Sequence, residues 1–330
     1  MQFVVGTTAG VYLGETGAPA TGIASQGGVR QFAADDDRLY AAATDGVYRS
    51  GDGGRSWMRA GVDAGEVWNV ATFNDRALYA STQPAHLFVS HDRGDTWQEV
   101  SSFLEAPGAE RWCVPSNPAG ARALALAFDP FDPRRMWVGV EVGGVVTTSD
   151  SGRRWSVAVP GGNADVHLLA AHPQRAGVLF ATTGYGRNDA EPMNPRLAGP
   201  YRSEDGGATW HYLGQSMQPH YTRPMCLDPR PPFALTIPAV PDVRSSIKDP
   251  DGAGSMLFQS VDEGTTWRSL GDAAHSPSAA RLTAVAADPA NASGVIVGTE
   301  TGEVWRVSPE ATWTQLLEGL PPVQALLAVS

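Results

Sequence analysis

Ser203 to Trp210 reads SEDGGATW, and the same eight-residue phrase returns along the chain. SGDGGRSW runs from Ser50 to Trp57, SHDRGDTW from Ser90 to Trp97, and SVDEGTTW from Ser260 to Trp267. A fifth copy, TSDSGRRW from Thr148 to Trp155, opens with Thr but keeps the Asp, Gly and Trp. The common form is Ser-x-Asp-x-Gly-x-Thr-Trp. Its Asp is suited to accept hydrogen bonds from backbone N–H groups two residues on, closing an Asx-type turn. Its Gly supplies the positive φ that a tight hairpin requires. Its Trp starts the next strand and offers a large apolar face to the neighbouring repeat. The phrase is therefore a strand–turn–strand corner, and Asp52, Asp92, Asp150, Asp205 and Asp262 are expected to be structural.

Around each corner lie four short strand signals, clearest in the fourth repeat. ALALAFDP (Ala123 to Pro130), MWVGVE (Met136 to Glu141), GVVTTSD (Gly144 to Asp150) and WSVAV (Trp155 to Val159) are β-rich runs bounded by Gly, Pro and Asp. The seventh repeat ends in a shortened corner, SPEATW, Ser308 to Trp313. VQALLAVS (Val323 to Ser330) reads as a first strand with nothing after it, and MQFVVGTTAGVYLG as a second and third strand with none before them. Pairing the two ends completes one blade and removes open sheet edges. The pattern predicts an all-β, seven-bladed propeller of four-stranded antiparallel blades. Residues 1–330 form its single domain, and the ring is closed by the N- and C-terminal strands. Repeats of roughly 40–50 residues account for all 330. No helix of any length is expected.

The corner resembles the Asp-box, or BNR, repeat of sialidases, xyloglucan-degrading enzymes, sortilin-type receptors and photosystem II assembly factors. Those families share β-propellers but no single function, so the resemblance implies architecture first. For an enzyme it implies chemistry like that of a glycoside hydrolase. The sialidases add an Arg-Ile-Pro motif, an arginine triad and a Tyr–Glu nucleophile pair. Here no Arg-Ile-Pro occurs, and the nearest string, Arg223-Pro224, falls in the sixth blade. The tandem-propeller xyloglucanases cleave between two propellers, and this chain has the strand signals of one. No catalytic residue is carried over from either.

Composition narrows the partners. A net charge of −11 argues against nucleic acid and anionic membranes, both of which demand a basic surface. No run of 18 apolar residues suggests a transmembrane helix, and the N-terminal stretch reads as a strand pair rather than a signal peptide. Cytoplasmic localisation is the expectation. Cys113 and Cys226 sit in no Cys-x-x-Cys or Cys/His cluster, agree with a reducing compartment, and read as buried thiols. No metal or cofactor motif appears: the chain lacks a Walker loop, Gly-x-Ser-x-Gly, His-Glu-x-x-His and a dinucleotide fingerprint.

The spacing of the corners places function. Asp52 to Asp92 is 40 residues, a bare blade, whereas the intervals to Asp150, Asp205 and Asp262 are 58, 55 and 57. The surplus lies at Ser101 to Arg122, Gly184 to Pro200 and Pro241 to Ser255. In a four-stranded meander, the connection into a first strand and the connection between strands two and three emerge on one rim. The Asp boxes emerge on the other. All three insertions therefore share a rim, the candidate functional face. Residues entering first strands there include Trp68, Asn69, Arg111, Trp112, Asp165, His167, Tyr221, Arg223 and Arg281. Second-to-third-strand corners contribute Gln83, His86, Glu141, Tyr185, Arg187 and Glu300.

Within this set, Glu141, Asp165 and His167 are the candidate catalytic group. Asp165 and His167 share a strand face, because strand side chains repeat every two residues. Adjacent blades bring Glu141 towards His167, as general acid–base chemistry demands; the alternative is that all three satisfy neighbouring loops and blades. Arg111, Arg187, Arg223 and Arg281 suit an anionic ligand through bidentate guanidinium contacts, or else salt bridges within the loops. Trp112, Tyr185 and Tyr221 suit stacking on a sugar ring, or packing of the inserted loops. The expected ligand is a small polar molecule, a saccharide or an anionic metabolite. The competing class is a scaffold that binds a protein partner on the same rim.

Overall fold

The computed structural model describes residues 2–15, 18–23, 27–73, 77–114, 120–185, 197–242 and 252–329. Its strands form the expected all-β, seven-bladed propeller fold with antiparallel four-stranded blades. The chain divides into two compact units, Arg30–Tyr212 and Met1–Val29 with Leu213–Ser330.

The four-blade unit starts with blade 2, whose strands are Val29–Ala34, Leu39–Ala43, Gly46–Ser50 and Met58–Arg59. Blade 3 comprises Glu66–Phe73, Ala77–Gln83, Leu87–Ser90 and Gln98–Glu99. Blade 4 comprises Arg122–Phe128, Met136–Glu141, Gly144–Thr148 and Ser156–Ala158. Blade 5 comprises Val166–Ala171, Leu179–Thr183, Gly199–Ser203 and His211–Tyr212. The first strands of blades 3, 4 and 5 lie side by side. The core sits between sheets, as in the cluster of Trp137, Val145, Val166, Leu169, Leu179 and Tyr201 from blades 4 and 5. The fourth strands of blades 2, 3 and 5 are only two residues long, which leaves little open edge.

In the other unit, blade 1 is built from both ends of the chain. Val323–Val329 pairs antiparallel with Gln2–Thr7, which pairs in turn with Gly10–Glu15. Blade 7 comprises Leu282–Ala287, Val295–Thr299, Val304–Val307 and Trp313–Leu317. Blade 6 departs from a regular meander. Its first strand is broken into Tyr221–Thr222 and Cys226–Leu227, both paired with Leu235–Val240, and Arg223 lies exposed in the break.

The Asp boxes are turns of one design, and one detail corrects the sequence reading. In the fifth blade, Asp205 Oδ1 accepts from Thr209 N at 2.9 Å, four residues on rather than two, while Oδ2 accepts from Thr209 Oγ1 at 2.6 Å. The two-residue link runs through the leading hydroxyl instead: Ser203 Oγ donates to Asp205 Oδ1 (2.8 Å) and accepts from Gly207 N (2.9 Å). The same bonds recur at Asp52, Asp92 and Asp262. Asp150 keeps the leading-hydroxyl bonds through Thr148 and the backbone contact to Arg154 N, and lacks only the second hydroxyl because Arg154 stands where the other boxes carry Ser or Thr. The turn needs two consecutive left-handed residues, Gly206 (φ 74°) and Gly207 (φ 91°), so the residue before the box glycine shares its strain.

The box tryptophans tie blades together, as expected. Trp97 Nε1 donates to Ala60 O, Trp155 Nε1 to Ser102 Oγ, Trp267 Nε1 to Leu213 O and Trp313 Nε1 to Leu270 O. Trp57 and Trp210 turn back onto their own box carbonyls, Gly54 O and Gly207 O. The same rim carries a second cap that the sequence reading took only as a strand end. At the first hairpin turn Asp129 Oδ1 accepts from Phe131 N (2.9 Å) and Asp288 Oδ1 from Ala290 N (3.0 Å).

Two expectations follow from this rim. Asp205→Ala removes three bonds at an exposed turn and lowers stability by about 1–2 kcal/mol, measured by chemical denaturation. Hydrogen bonds from Thr209 and Ser56 hold the Asp205 and Asp52 carboxyls at about 2. A carboxyl depressed in the folded state stabilises the fold above its ordinary value near 3.8 and stops doing so as pH falls through its folded value. The melting temperature accordingly drops between about pH 4 and pH 2, and Asp205→Asn flattens that drop.

Among the described residues the helical content is a handful of 3-10 turns. One of them, Ser101–Glu105, opens the first insertion. Its Phe103 is fully buried against Trp112 and Trp155, at 5.0 and 5.5 Å between ring centroids. The two cysteines form no disulfide and are half-buried rather than fully buried, and burial pushes the Cys226 thiol up to about 12.

Candidate functional site

The loop rim of the four-blade unit is shaped by a repeated irregularity. Where the first strand of a blade pairs with the second, the register slips by one residue near its start. In blade 3 Val67 faces Thr82 and Asn69 faces Ser81, leaving Trp68 as the extra residue. In blade 4 the extra residue is Leu124, and in blade 5 it is His167. A bulge of this kind frees one side chain from the strand's alternation and re-aims it, a device common beside binding sites. Asp165 and His167 thus come together for a different reason from simple two-residue alternation. His167 Nε2 lies 3.1 Å from Asp165 Oδ1, close but not aligned as a hydrogen bond. Both residues are buried.

Gly184 completes this corner. Its N–H donates to Asp165 O at 2.8 Å. A Cβ there would meet Asp165 Oδ2 at 2.2 Å and His167 Cε1 at 2.8 Å, so only glycine allows the strand end to come so near. The Glu141 corner docks on the same segment, because Gly143 N and Gly144 N both donate to Ala164 O, at 3.0 and 2.8 Å. Glu141 itself is 5% exposed and holds Arg122, NH1 to Oε2, at 3.0 Å.

From Arg122 a chain of contacts runs back through blade 3 to blade 2. Arg122 Nε donates to Gln83 Oε1 (2.8 Å), and Gln83 faces Glu66 across the strand pair. Glu66 Oε2 accepts from Arg30 NH2 at 2.6 Å. Both guanidinium carbons lie over the Trp68 ring, Arg30 at 3.6 Å and Arg122 at 4.8 Å from its centroid, within cation–π range. Burial lowers the Arg30 pKa, with Glu66 opposing that shift. Four consecutive blades therefore contribute Arg30, Glu66, Trp68, Gln83, Arg122, Glu141, Asp165 and His167 to one rim.

Sequence reasoning placed Trp68, Gln83, Glu141, Asp165 and His167 on this rim but passed over Arg30, Glu66 and Arg122. A signal was present for Arg122, which follows Ala121 at the start of an apolar first strand as Arg281 follows Ala280 in blade 7, whereas Arg30 lies between Val29 and Gln31. Trp112 is half-buried against Phe103, and Arg111 is exposed beside Glu110 at 3.7 Å. Tyr185, half-buried, follows Gly184, and Arg187 lies outside the described residues. Tyr221, Arg223 and Arg281 belong to the other unit. There Tyr221 is buried, and Arg281 Nε donates to Glu300 Oε2 at 2.8 Å.

No family model matches the chain. An oligoxyloglucan-reducing end-specific xyloglucanase of Emericella nidulans is 37% identical over 102 residues, 31% of this chain and 11% of that protein. Among solved structures, the GH74 xyloglucanase from Xanthomonas campestris matches with a TM-score of 0.61 at 18% identity. That match covers 93% of this chain and 47% of that one. YCF48 bound to D1 peptide matches with a TM-score of 0.50 at 17% identity, over 76% of this chain and 67% of that one. The chain is a β-propeller with Asp-box, or BNR-type, corners, similar in part of its sequence to a xyloglucanase and in fold to the GH74 xyloglucanase and YCF48 structures. It spans about a tenth of the curated xyloglucanase's length and less than half of the xyloglucanase structure.

Proposed function

We propose that the loop rim of blades 2 to 5 is a saccharide-binding site and that its role is to bind rather than to hydrolyse. The observation that carries this reading is the bulge at Trp68, which frees an aromatic side chain from the strand's alternation among hydrogen-bonding side chains from neighbouring blades. An indole face packs against the C–H face of a sugar, while guanidinium and amide groups around it serve the hydroxyls. The partial identity to an oligoxyloglucan-acting enzyme supports the ligand class. Glu141 is buried and committed to the half-buried Arg122, so it shapes the site rather than moving a proton.

Calorimetric titration with a xyloglucan heptasaccharide tests the reading. Binding is expected in the wild type, and Trp68→Ala weakens it by about tenfold, the equivalent of about 1.4 kcal/mol of lost stacking. The melting temperature of the variant is measured alongside. Unchanged affinity in a folded Trp68→Ala protein, or a wild type that binds peptides but no saccharide, contradicts it; the second result selects the scaffold class.

A further inference from the structure

Three arginines at the starts of first strands, Arg30, Arg122 and Arg281, differ in how they use their guanidinium forks. Arg122 engages Nε with Gln83 and NH1 with Glu141. Arg281 engages Nε with Glu300. Arg30 engages NH2 with Glu66, while its Nε is buried without a hydrogen-bond partner. The N–H groups of Nε and NH2 form the side-on edge that a carboxylate fills with two oxygens. On Arg30 that edge is half filled. Beside it the Trp68 Nε1 donor is also buried without an acceptor. Unmade bonds on buried donors are costly, most of all on a charged group.

The two members of the Arg30–Glu66 pair are unequally placed. The Arg30 side chain is 19% exposed and stacked on Trp68, whereas the Glu66 side chain is 43% exposed. Releasing Glu66 to water therefore costs little, while Arg30 stays desolvated and stacked. A one-point contact between an exposed carboxylate and a half-buried fork is easily exchanged for a two-point one.

We propose that Glu66 is an internal placeholder on Arg30, and that the saccharide bound at this rim carries a carboxylate, as a uronic acid residue does, which displaces it. The ligand's carboxylate fills the Nε–NH2 edge, and its pyranose ring lies against Trp68. Glu66 swings out as the ligand arrives, so that the half-buried cation is never without an anion. This inference rests on the saccharide reading and names the sugar class within it.

The test compares trigalacturonic acid with a neutral cellotriose and a short acidic peptide by calorimetry, in the wild type, Glu66→Gln and Arg30→Gln. The acidic sugar is expected to bind at least about tenfold more tightly than the neutral one. Glu66→Gln tightens the acidic sugar by about threefold, because the competing carboxylate is gone, and Arg30→Gln brings the acidic-to-neutral ratio to about one. Equal affinity for the two sugars in the wild type overturns the carboxylate inference and leaves the saccharide site standing. Weaker acidic-sugar binding in Glu66→Gln overturns the placeholder. A protein that binds the peptide in preference to both sugars, or binds none of the three, overturns the inference and the saccharide reading together. Glu66→Gln is nearly isosteric at an exposed position, so it decides the placeholder even where Arg30→Gln folds poorly.

Discussion

Removing residues 323–330 lowers the melting temperature by more than about 10 °C. The deleted strand, Val323–Val329, supplies one of the two hydrogen-bonded edges of Gln2–Thr7, the other being Gly10–Glu15. Val323 is 1% and Ala325 3% exposed, and Val323 joins a core cluster with Phe3, Val5, Ala284, Ile296, Val304 and Leu317. Thr283 Oγ1 also donates to Val323 O at 2.6 Å, so the strand is bonded to blade 7 as well as to its own blade. Lost burial amounts to about 5 kcal/mol, before counting the strand edge left open. Differential scanning calorimetry measures it. A truncated protein that melts with the wild type contradicts the closing of blade 1 by the two chain ends.

Trp137→Ala costs about 3–5 kcal/mol, the range for emptying a buried aromatic site. Trp137 is 1% exposed at the centre of the cluster between blades 4 and 5. Its Nε1 donates to Gly206 O at 2.8 Å, which fastens blade 4 to the Asp box of blade 5. The alanine variant leaves a cavity and strands that carbonyl, whereas Trp137→Phe keeps most of the volume and costs about half as much. The denaturation midpoint falls with an unchanged slope if the variant is destabilised and still two-state. A loss below about 1 kcal/mol contradicts the packing assigned to this residue.

How much of this was legible in the sequence differs between the two rims. The Asp-box rim is written in residue types: Ser, Asp, Gly, Thr and Trp each recur because each bond of the turn demands a particular side chain. That repetition gave the blade count and the strand order, and the unmatched strands at the two ends gave blade 1. The loop rim is written in register. Nothing in VWNVATF or DVHLLAAHP marks Trp68 or His167 as the extra residue of a bulge, since no glycine is required there and the slip becomes visible only against Thr82 or Thr183 on the partner strand. For the same reason Glu141 was foreseen at the rim while its partner Arg122, its register mate across the strand pair, was not. The Asp of the box was assigned the wrong acceptor distance along the chain because a hydroxyl two residues earlier takes the short contact.

The central claim is that the bulged loop rim binds ligand while the Asp-box rim holds the fold. Hydrogen–deuterium exchange, read by mass spectrometry with and without trigalacturonic acid, tests it most directly. The account predicts that ligand slows exchange in segments containing Arg30, Glu66 to Asn69, Arg122 and His167, and leaves Ser50–Trp57 and Ser203–Trp210 unchanged. Protection confined to those Asp-box segments, with none on the bulged strands, would contradict it.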